Sequence, residues 1–298
     1  MSSRRGTGRW AEAPPLTEPE IDVLVPFAGR SAALAVTLAG LAAQDDPVFR
    51  VIISDQSLAD EIDGPEAQSM IRVLRAQGRG VDVVPHLPRR GMAEQRQFLL
   101  EQSAAPRVLY LDDDVWLEPG ALARLDQALT RFGGGFVGFA PQGLSYLAHS
   151  RPHERESLEF WDGPVRAERV RPESEAFDRW PLHNAANLVH AAAEHDAVED
   201  DPRAYRIAWI GGCVLYDRSR LVAAGGFDFW PELPERHAGE DVAAEWRVME
   251  RDGGAGVLPS GAVHLEAPTT ISDRRVEARD IVFRRPAEDH REREGTRR

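Results

Sequence analysis

The chain has 298 residues and a formal net charge of -13, and all 36 of its basic side chains are arginines. The absence of lysine excludes P-loop nucleotidases, Schiff-base and pyridoxal phosphate enzymes, and kinases with a catalytic strand lysine, because each needs a lysine amine. The acidic balance argues against a nucleic-acid partner, since phosphate neutralisation requires a basic surface.

The composition also limits the compartment. A single cysteine, Cys213, excludes an internal disulfide and favours a reducing, cytoplasmic location. The N-terminal segment has arginines but no apolar run, so we expect no signal peptide. The apolar stretches all end well short of the roughly 18 residues that a membrane span needs. Residues 1–20 are rich in Pro, Glu, Ser and Arg, and we expect them to be disordered.

In the first half of the chain, short apolar runs alternate with helix-forming segments. We predict strands at 21–26, 49–54, 81–84, 107–111 and 136–140, and helices at 32–43, 65–77, 93–103 and 119–132. This alternation predicts an α/β fold with a doubly wound, mostly parallel sheet and flanking helices. In such sheets ligands bind beyond the carboxyl ends of the strands.

The second half is less regular. Residues 141–206 lack clear periodicity and carry most of the His, Pro and Trp, which is typical of a functional loop region or lid. Regular patterns return as predicted strands at 207–210, 214–216, 257–258 and 262–265, with a helix at 241–251. We expect residues 273–298 to be a charged tail with a helix followed by disorder.

Three consecutive aspartates, Asp112, Asp113 and Asp114, follow the fourth predicted strand. Alternation along a strand places Asp112 and Asp114 on one side and Asp113 on the other. Adjacent like charges repel, and a bound divalent cation is a physical reason to keep them together; carboxylate oxygens suit Mg²⁺ or Mn²⁺. A bare acidic turn is more often only a helix cap, but the position after a buried strand favours the metal site.

Three further groups carry possible chemistry, each with an ordinary structural alternative. Glu240 and Asp241 open a predicted helix, where a carboxylate either caps the helix or acts as a general base. Asp55 ends the second strand and is either a nucleoside-binding residue or a turn aspartate. His264 leaves a strand and is either a metal ligand or a structural histidine.

Together these residues resemble the family-2 glycosyltransferases of the GT-A fold, over about residues 21–266. The chain has Phe-Ala-Gly where the family's opening strand usually ends in Thr-Tyr-Asn, and Gln97 where the family has Asn. The matching positions are the opening strand DVLVPFAGR, Asp55 in ISDQS, Gly91 and Arg96 in GMAEQRQ, Asp112 and Asp114 as the ends of a DxD motif, Gly211-Gly212 on the strand that floors the acceptor site, GGFD with Gly239-Glu240-Asp241 and Trp246-Arg247 as the ED motif, and His264.

The resemblance implies one GT-A domain over residues 21–272, with a nucleotide-sugar-binding half at 21–140 and an acceptor-binding half at 141–272. It implies transfer of a sugar from a nucleotide-diphosphate donor, by default a UDP-sugar, to an acceptor hydroxyl, usually with inversion. The acceptor is open: a glycan, a lipid-linked molecule or a small molecule. The oligomeric state is not predicted.

The resemblance also implies roles for individual residues. Asp241 is the expected base, with Glu240 as the alternative, and Mn²⁺ or Mg²⁺ neutralises the leaving diphosphate. The remaining assignments are metal ligands Asp112, Asp114 and His264; donor-binding residues Pro26, Phe27, Asp55, Arg96, Asp112 and Asp113; and acceptor-binding residues Gly211, Gly212, Trp209 and Trp246. Trp161, Trp180, His183 and Asn184 are expected to line or cover the acceptor, although tryptophan is also a common core residue.

Two other functions remain open from the sequence. A sugar nucleotidyltransferase has a similar sheet, carboxylates and metal. It also has a Gly-rich N-terminal loop with a catalytic lysine, and this chain has neither. A catalytically silent sugar-nucleotide-binding relative is the second alternative. The intact DxD and ED residues argue against it, and donor hydrolysis would separate the two.

Overall fold

A computed structural model of the chain describes residues 5–12, 17–183, 185–268 and 274–284. The strands are β1 (Ile21–Phe27), β2 (Phe49–Asp55), β3 (Val81–Pro85), β4 (Arg107–Leu111), β5 (Val115–Leu117), β6 (Phe136–Gly138), β7 (Gln142–Gly143), β8 (Arg203–Tyr205), β9 (Cys213–Asp217), β10 (Gly254–Leu258) and β11 (Ala262–His264). The helices are α1 (Ser31–Ala42), α2 (Pro65–Ala76), α3 (Met92–Gln102), α4 (Ala121–Phe132), α5 (Ala185–Glu194), α6 (Arg218–Ala223), α7 (Glu240–Asp252) and α8 (Ala278–Val282).

Eight strands form the main sheet, in the order β3-β2-β1-β4-β9-β6-β10-β8. The β3-β2-β1-β4 half is parallel throughout, β6 and β10 are parallel, and β9 and β8 run antiparallel to their neighbours. The predicted mixed α/β fold with a mostly parallel sheet is therefore confirmed. A smaller sheet, β5-β11-β7, lies beside the end of β4.

Alternation along the central strands supplies two cores, one on each face of the sheet. On β1, Val23 and Val25 belong to one core and Leu24 to the other. The first core includes apolar residues of α1, α2 and α4, and the second includes those of α3, α5 and α7. Because both faces are covered by helices, the central strands read as continuous apolar runs, which explains why they are readable in the sequence.

The second half of the chain differs from its prediction. Residues 207–210 are not a strand; β8 forms a few residues earlier, where it pairs antiparallel with β10 as the edge of the main sheet. Helix α5 and three short 3-10 segments lie within the stretch predicted to be irregular. Strands from both predicted halves share one sheet, so the boundary near residue 140 does not separate two sheets.

The ends of the chain are described in part. Thr7–Glu12 form a 3-10 segment, and Arg5 pairs with Asp45 at 2.5 Å, so this stretch has contacts where the composition predicted disorder. Helix α8 lies in the predicted tail, and residues 285–298 lie outside the described part. Among the described residues, none of the helices has the length and apolar character to cross a membrane.

Candidate active site

A cavity of about 540 Å³ opens at the carboxyl ends of β1 and β4. These strands are parallel neighbours, so the residues that follow them meet at one edge of the sheet. Further walls of the cavity come from the N-terminal parts of α3 and α7 and from the loop before β9. Its lining includes twelve of the predicted site residues: Pro26, Phe27, Arg96, Asp112, Asp113, Asp114, Trp209, Gly211, Gly212, Glu240, Asp241 and His264.

Arg96 connects two of the predicted motifs. Its Nη2 donates to Asp112 Oδ1 at 3.1 Å, and its Nε donates to Glu240 Oε1 at 3.0 Å. Burial alone lowers the pKa of this guanidinium, but the carboxylates of Asp112 and Glu240 outweigh burial and the pKa is raised. Tyr110 also anchors α3, since its hydroxyl donates to the Arg96 carbonyl oxygen at 2.7 Å. Arg96 is thus a fixed positive charge at the back of the cavity.

The other two aspartates of the triplet bind a residue that the sequence analysis missed. Arg30, in the turn between β1 and α1, donates from Nη1 to Asp114 Oδ2 at 2.6 Å and from Nε to Asp113 Oδ2 at 3.4 Å. Burial raises the pKa of Asp113 to about 7, against the opposing effect of Arg30. Arg30 ends the opening segment DVLVPFAGR, but no role was predicted for it there. Its position one residue before α1, at the carboxyl end of β1, is the only signal that suggests it.

The predicted alternation of the triplet is wrong. β4 ends at Leu111, and Asp113 and Asp114 lie in a turn that leads to β5. The strand period of two therefore no longer applies, and Asp113 and Asp114 share Arg30 while Asp112 contacts Arg96.

Glu240 and Asp241 begin α7 at the cavity wall, but their environments differ. Glu240 is 3% exposed and its carboxylate is held by Arg96. Asp241 is half-buried, lines the cavity and has no ion pair within the described ranges of the chain. Burial, and next the charge of Glu240, raises the pKa of Asp241 to about 6.

Gly211 and Gly212 allow the backbone to approach these carboxylates. Asp112 donates its backbone N–H to the Gly212 carbonyl oxygen at 2.9 Å, and Gly212 has a positive φ of 79°. A Cβ on Gly211 would lie 3.3 Å from Asp241 Oδ2. The two glycines form a loop before β9 and not the strand that the family pattern implies, because Gly212 adopts a left-handed conformation.

The side chains that line the cavity offer ligand atoms that fit a divalent cation. Six carboxylates line it against three guanidiniums, so negative charge is in excess. His264 Nε2 lies 3.7 Å from Asp114 Oδ2, and these oxygen and imidazole donors suit Mn²⁺ or Mg²⁺. In the described part of the chain, no three acidic, histidine or cysteine side chains are grouped as a ready metal site. Arg30 and Arg96 hold the aspartates instead.

The aromatic predictions divide into two groups. Trp209 and His183 line the cavity with ring centroids 5.1 Å apart, and the exposed Trp180 ring lies tilted beside His183 with centroids 6.0 Å apart. Trp161, in contrast, lines a separate cleft under Arg206. Asn184 lies outside the described residues.

Trp246 was predicted to bind the acceptor, but its side chain does not line this cavity. It is 1% exposed, and its indole Nε1 donates to the Ala208 carbonyl oxygen at 2.8 Å. It lies one turn beyond the acidic start of α7, on the side that packs against the core. The Trp246 side chain therefore holds the 207–212 loop in place and does not face the cavity.

Three predicted residues lie beside the cavity and have structural contacts. Asp55 accepts the Ser57 backbone N–H at 2.8 Å, as expected of a turn aspartate, and is not part of the lining. Gly91 has a φ of 104° before α3, where a Cβ would meet His237. Gln97 accepts the Phe227 backbone N–H at 3.0 Å and so joins α3 to the GGFD turn.

Glu245 and His237 support the site and were not predicted. Glu245 is fully buried, accepts the Ile210 backbone N–H at 2.9 Å, and has a pKa raised well above the ordinary value by burial. His237 Nε2 accepts the Ala93 backbone N–H at 3.1 Å at the start of α3. Their sequence positions have no motif, and only the burial of a polar residue in the fold identifies them.

This fold is similar to those of solved glycosyltransferases. S. aureus TarS 1–349 aligns with a TM-score of 0.54 and 14% identity, covering 82% of this chain and 59% of that chain. The same protein in complex with UDP-GlcNAc gives 0.55 and 12%, covering 85% and 60%. The mannosyltransferase PcManGT from Pyrobaculum calidifontis, in complex with GDP-Man and Mn2+, gives 0.51 and 16%, covering 89% and 64%.

These likenesses define the class, a protein with the GT-A glycosyltransferase fold. This chain spans about three fifths of the length of the structures it matches. Comparison with curated protein sequences gives no match. The model of Glycosyl transferase family 2 matches residues 22–187, more than half of the chain. The chain therefore belongs to glycosyltransferase family 2, which weighs against the sugar nucleotidyltransferase alternative.

Proposed function

We propose that the protein transfers a sugar from a nucleotide-diphosphate donor to an acceptor hydroxyl, with a divalent cation and with inversion. The observation that carries the proposal is the convergence, in one cavity, of the aspartate triplet, Arg96 and the acidic start of α7. Family membership supports sugar transfer in general. The donor, the metal and the stereochemistry are our inference from the site.

Asp112, Asp114 and His264 would hold the cation, at the end of the cavity where β4 and β11 lie. A divalent cation there supplies Lewis-acid stabilisation of the departing diphosphate, as Mg²⁺ and Mn²⁺ do in phosphate chemistry. In PcManGT the solved complex contains Mn2+ together with GDP-Man. Arg96, held between Asp112 and Glu240, adds a fixed positive charge near the site where negative charge develops.

Asp241 is the proposed general base. Inversion by direct displacement requires a base that removes the acceptor proton while the acceptor oxygen attacks the face opposite the leaving group. Asp241 faces the cavity, and its pKa of about 6 leaves it ionised at neutral pH but more basic than an ordinary aspartate. Glu240 is less suited, because its carboxylate is occupied by Arg96.

The acceptor is expected on the side of Trp209 and His183, whose rings lie against the same cavity. Aromatic rings present an apolar face that suits the C–H face of a sugar or another apolar acceptor surface. Pro26 and Phe27, at the end of β1, are the proposed donor side. Asp55 follows the neighbouring strand in register with Phe27 and stays a prediction for nucleoside binding.

A catalytically silent relative is the alternative function, and donor turnover separates it from the enzyme. UDP- and GDP-sugars are screened with Mn²⁺ by thermal shift, and the donors that stabilise the protein are then assayed for hydrolysis and transfer. We expect at least one donor to raise the melting temperature and to be turned over. Stabilisation without any turnover would favour the silent relative. The anomeric configuration of the product, measured by NMR, tests inversion.

The metal assignment is tested with Asp114→Asn. The variant keeps the size of the side chain but removes one carboxylate, so we expect the Mn²⁺-dependent part of donor binding to fall at least tenfold in calorimetry. Asp201→Asn, which changes an exposed aspartate paired with Arg131 outside this cavity, is the matched control. Unchanged Mn²⁺-dependent binding in Asp114→Asn would refute the metal assignment.

A further inference from the structure

We propose that Arg30 is an internal counter-cation that occupies the Asp113–Asp114 carboxylates in the free enzyme. A divalent cation must displace it from Asp114, so that the metal and the donor diphosphate bind cooperatively. This inference rests on the proposed function and adds how Arg30, the metal and the diphosphate exchange partners at the site.

The contacts of Arg30 fit a cation that substitutes for a metal. One guanidinium reaches two carboxylates: Nη1 to Asp114 at 2.6 Å, and both Nε and Nη2 to Asp113. The acidic side chains are each 5% exposed, whereas the Arg30 side chain is 24% exposed. The carboxylates are therefore fixed in the wall, while the guanidinium is accessible from the cavity that it lines.

His264 shows that the same carboxylate also faces a ligand of metal type. Asp114 Oδ2 accepts from Arg30 and lies 3.7 Å from His264 Nε2. A cation bound between this imidazole and this carboxylate competes with the guanidinium for one oxygen. Among the described residues, the remaining side-chain hydrogen bond of Arg30 is a long one, 3.5 Å from Nη1 to the Pro268 carbonyl oxygen. Its stable position therefore depends mainly on the two aspartates.

Charge balance then couples the metal to the donor. If a divalent cation binds alone, Arg30 loses Asp114, keeps only Asp113 and lies beside a like charge. If the donor binds as well, its diphosphate offers the guanidinium new oxygens in the forked geometry that suits it. The diphosphate removes the cost of displacing Arg30, so each ligand raises the affinity for the other. Reciprocity requires the same coupling factor in both directions.

The test measures Mn²⁺ binding to the full chain by the electron paramagnetic resonance signal of free Mn²⁺, first alone and then with saturating UDP or GDP. We expect the wild type to bind Mn²⁺ weakly alone and at least tenfold more tightly with the nucleotide. Arg30→Gln removes the competing cation, so we expect it to bind Mn²⁺ alone at least fivefold more tightly than the wild type. The enhancement by nucleotide should fall at least fivefold.

The control variant is Arg131→Gln, which removes the same charge from an exposed ion pair with Asp201, outside this cavity. It should reproduce both wild-type affinities. Arg30→Gln leaves two buried carboxylates without their cation, so its melting temperature should fall and should be restored by Mn²⁺ more than that of the wild type. Arg30→Lys keeps the charge without the fork and should lie between the two, and it replaces Arg30→Gln if that variant does not fold.

The outcomes separate this inference from the function on which it rests. Unchanged or weaker Mn²⁺ binding in Arg30→Gln, with normal nucleotide-dependent binding in the wild type, overturns the role of Arg30 alone. Nucleotide binding that does not depend on Mn²⁺ in any variant overturns the metal assignment and this inference together. Tighter binding of Mn²⁺ alone and a reduced nucleotide effect support it.

Discussion

The carboxyl group of Asp241 combines exposure to the cavity with a raised pKa. Burial, and next the charge of Glu240, shifts the pKa from 3.8 to about 6. A base must be ionised to act, so activity should depend on the ionised fraction of this group. Therefore kcat/KM rises with pH up to about 6 and is then flat with respect to this group.

We therefore expect kcat/KM to fall about tenfold per pH unit below pH 6. Asp241→Asn should retain donor binding and lose transfer by about 10²–10⁴-fold, the usual contribution of a general base. Initial rates of transfer between pH 4.5 and 8, with donor binding measured by calorimetry, test both statements. Asp201→Asn serves as the control for a surface aspartate. Turnover that survives Asp241→Asn would assign the base to another residue.

At the scale of elements, helix α7 carries the acidic residues and also holds the loop that faces them. Asp241 lies in its first turn, while Glu245 accepts the Ile210 backbone N–H and Trp246 donates to the Ala208 carbonyl oxygen. Both contacts are buried, and both fix the backbone that leads to Gly211 and Gly212. One helix thus sets the distance between the proposed base and the acceptor side of the cavity.

Trp246→Phe tests this coupling, because it keeps an aromatic core residue and removes the buried hydrogen bond. We expect the free energy of unfolding to fall by about 1–3 kcal/mol, since the Ala208 carbonyl oxygen loses its donor. We expect turnover to fall as well, with donor affinity unchanged. Urea denaturation, transfer rates and calorimetry measure the three quantities. Trp180→Phe, at a residue that is 46% exposed, should alter stability little, and a loss of donor affinity in Trp246→Phe would contradict the assigned role.

In the molecule as a whole, the sequence predicts the strands and helices whose hydrophobic pattern follows from their place in or against the sheet. Strands β1, β2 and β4 are buried on both faces, so their apolar runs predict the strands. They also predict where β2 and β4 end, and so place Asp55 and the aspartate triplet at that edge of the sheet. Residues 207–210 look like a strand for a different reason. They are apolar because Ile207, Ala208 and Ile210 belong to the core around α7, while the backbone continues as a loop.

The site shows the same division. Motif residues such as Asp112 and Asp241 are readable because a carboxylate stands next to a strand end or a helix start. Arg30 and Glu245 are not, because their roles depend on contacts across 84 and 35 positions of the chain. In a chain whose basic residues are all arginines, composition gives no means of separating Arg30 from the others. Only the fold identifies which arginine neutralises which carboxylates.

The carboxyl groups that lie together in the cavity also affect the stability of the whole fold. Between pH 4 and 6 the folded protein keeps a proton on Asp241 that the unfolded chain has released, since the pKa is 3.8 when unperturbed and about 6 in the fold. Stability from this group is therefore fully present below about pH 4, is lost as pH rises toward 6, and stays low above it. The ionised carboxylate that the proposed reaction requires is thus held at the expense of stability.

Asp241→Asn removes this dependence, so the variant should be more stable than the wild type at pH 8 and should converge with it toward pH 4. The expected difference at pH 8 is on the order of 2 kcal/mol, from a shift of about two pKa units in a partly buried group. Urea denaturation of both proteins at several pH values measures it, with Asp201→Asn as a control that should follow the wild type. A variant that is less stable than the wild type at pH 8 would mean that Arg96 stabilises the Asp241 carboxylate more than burial opposes it. The base would then be ionised well below pH 6, and the acid limb of the rate profile would shift with it.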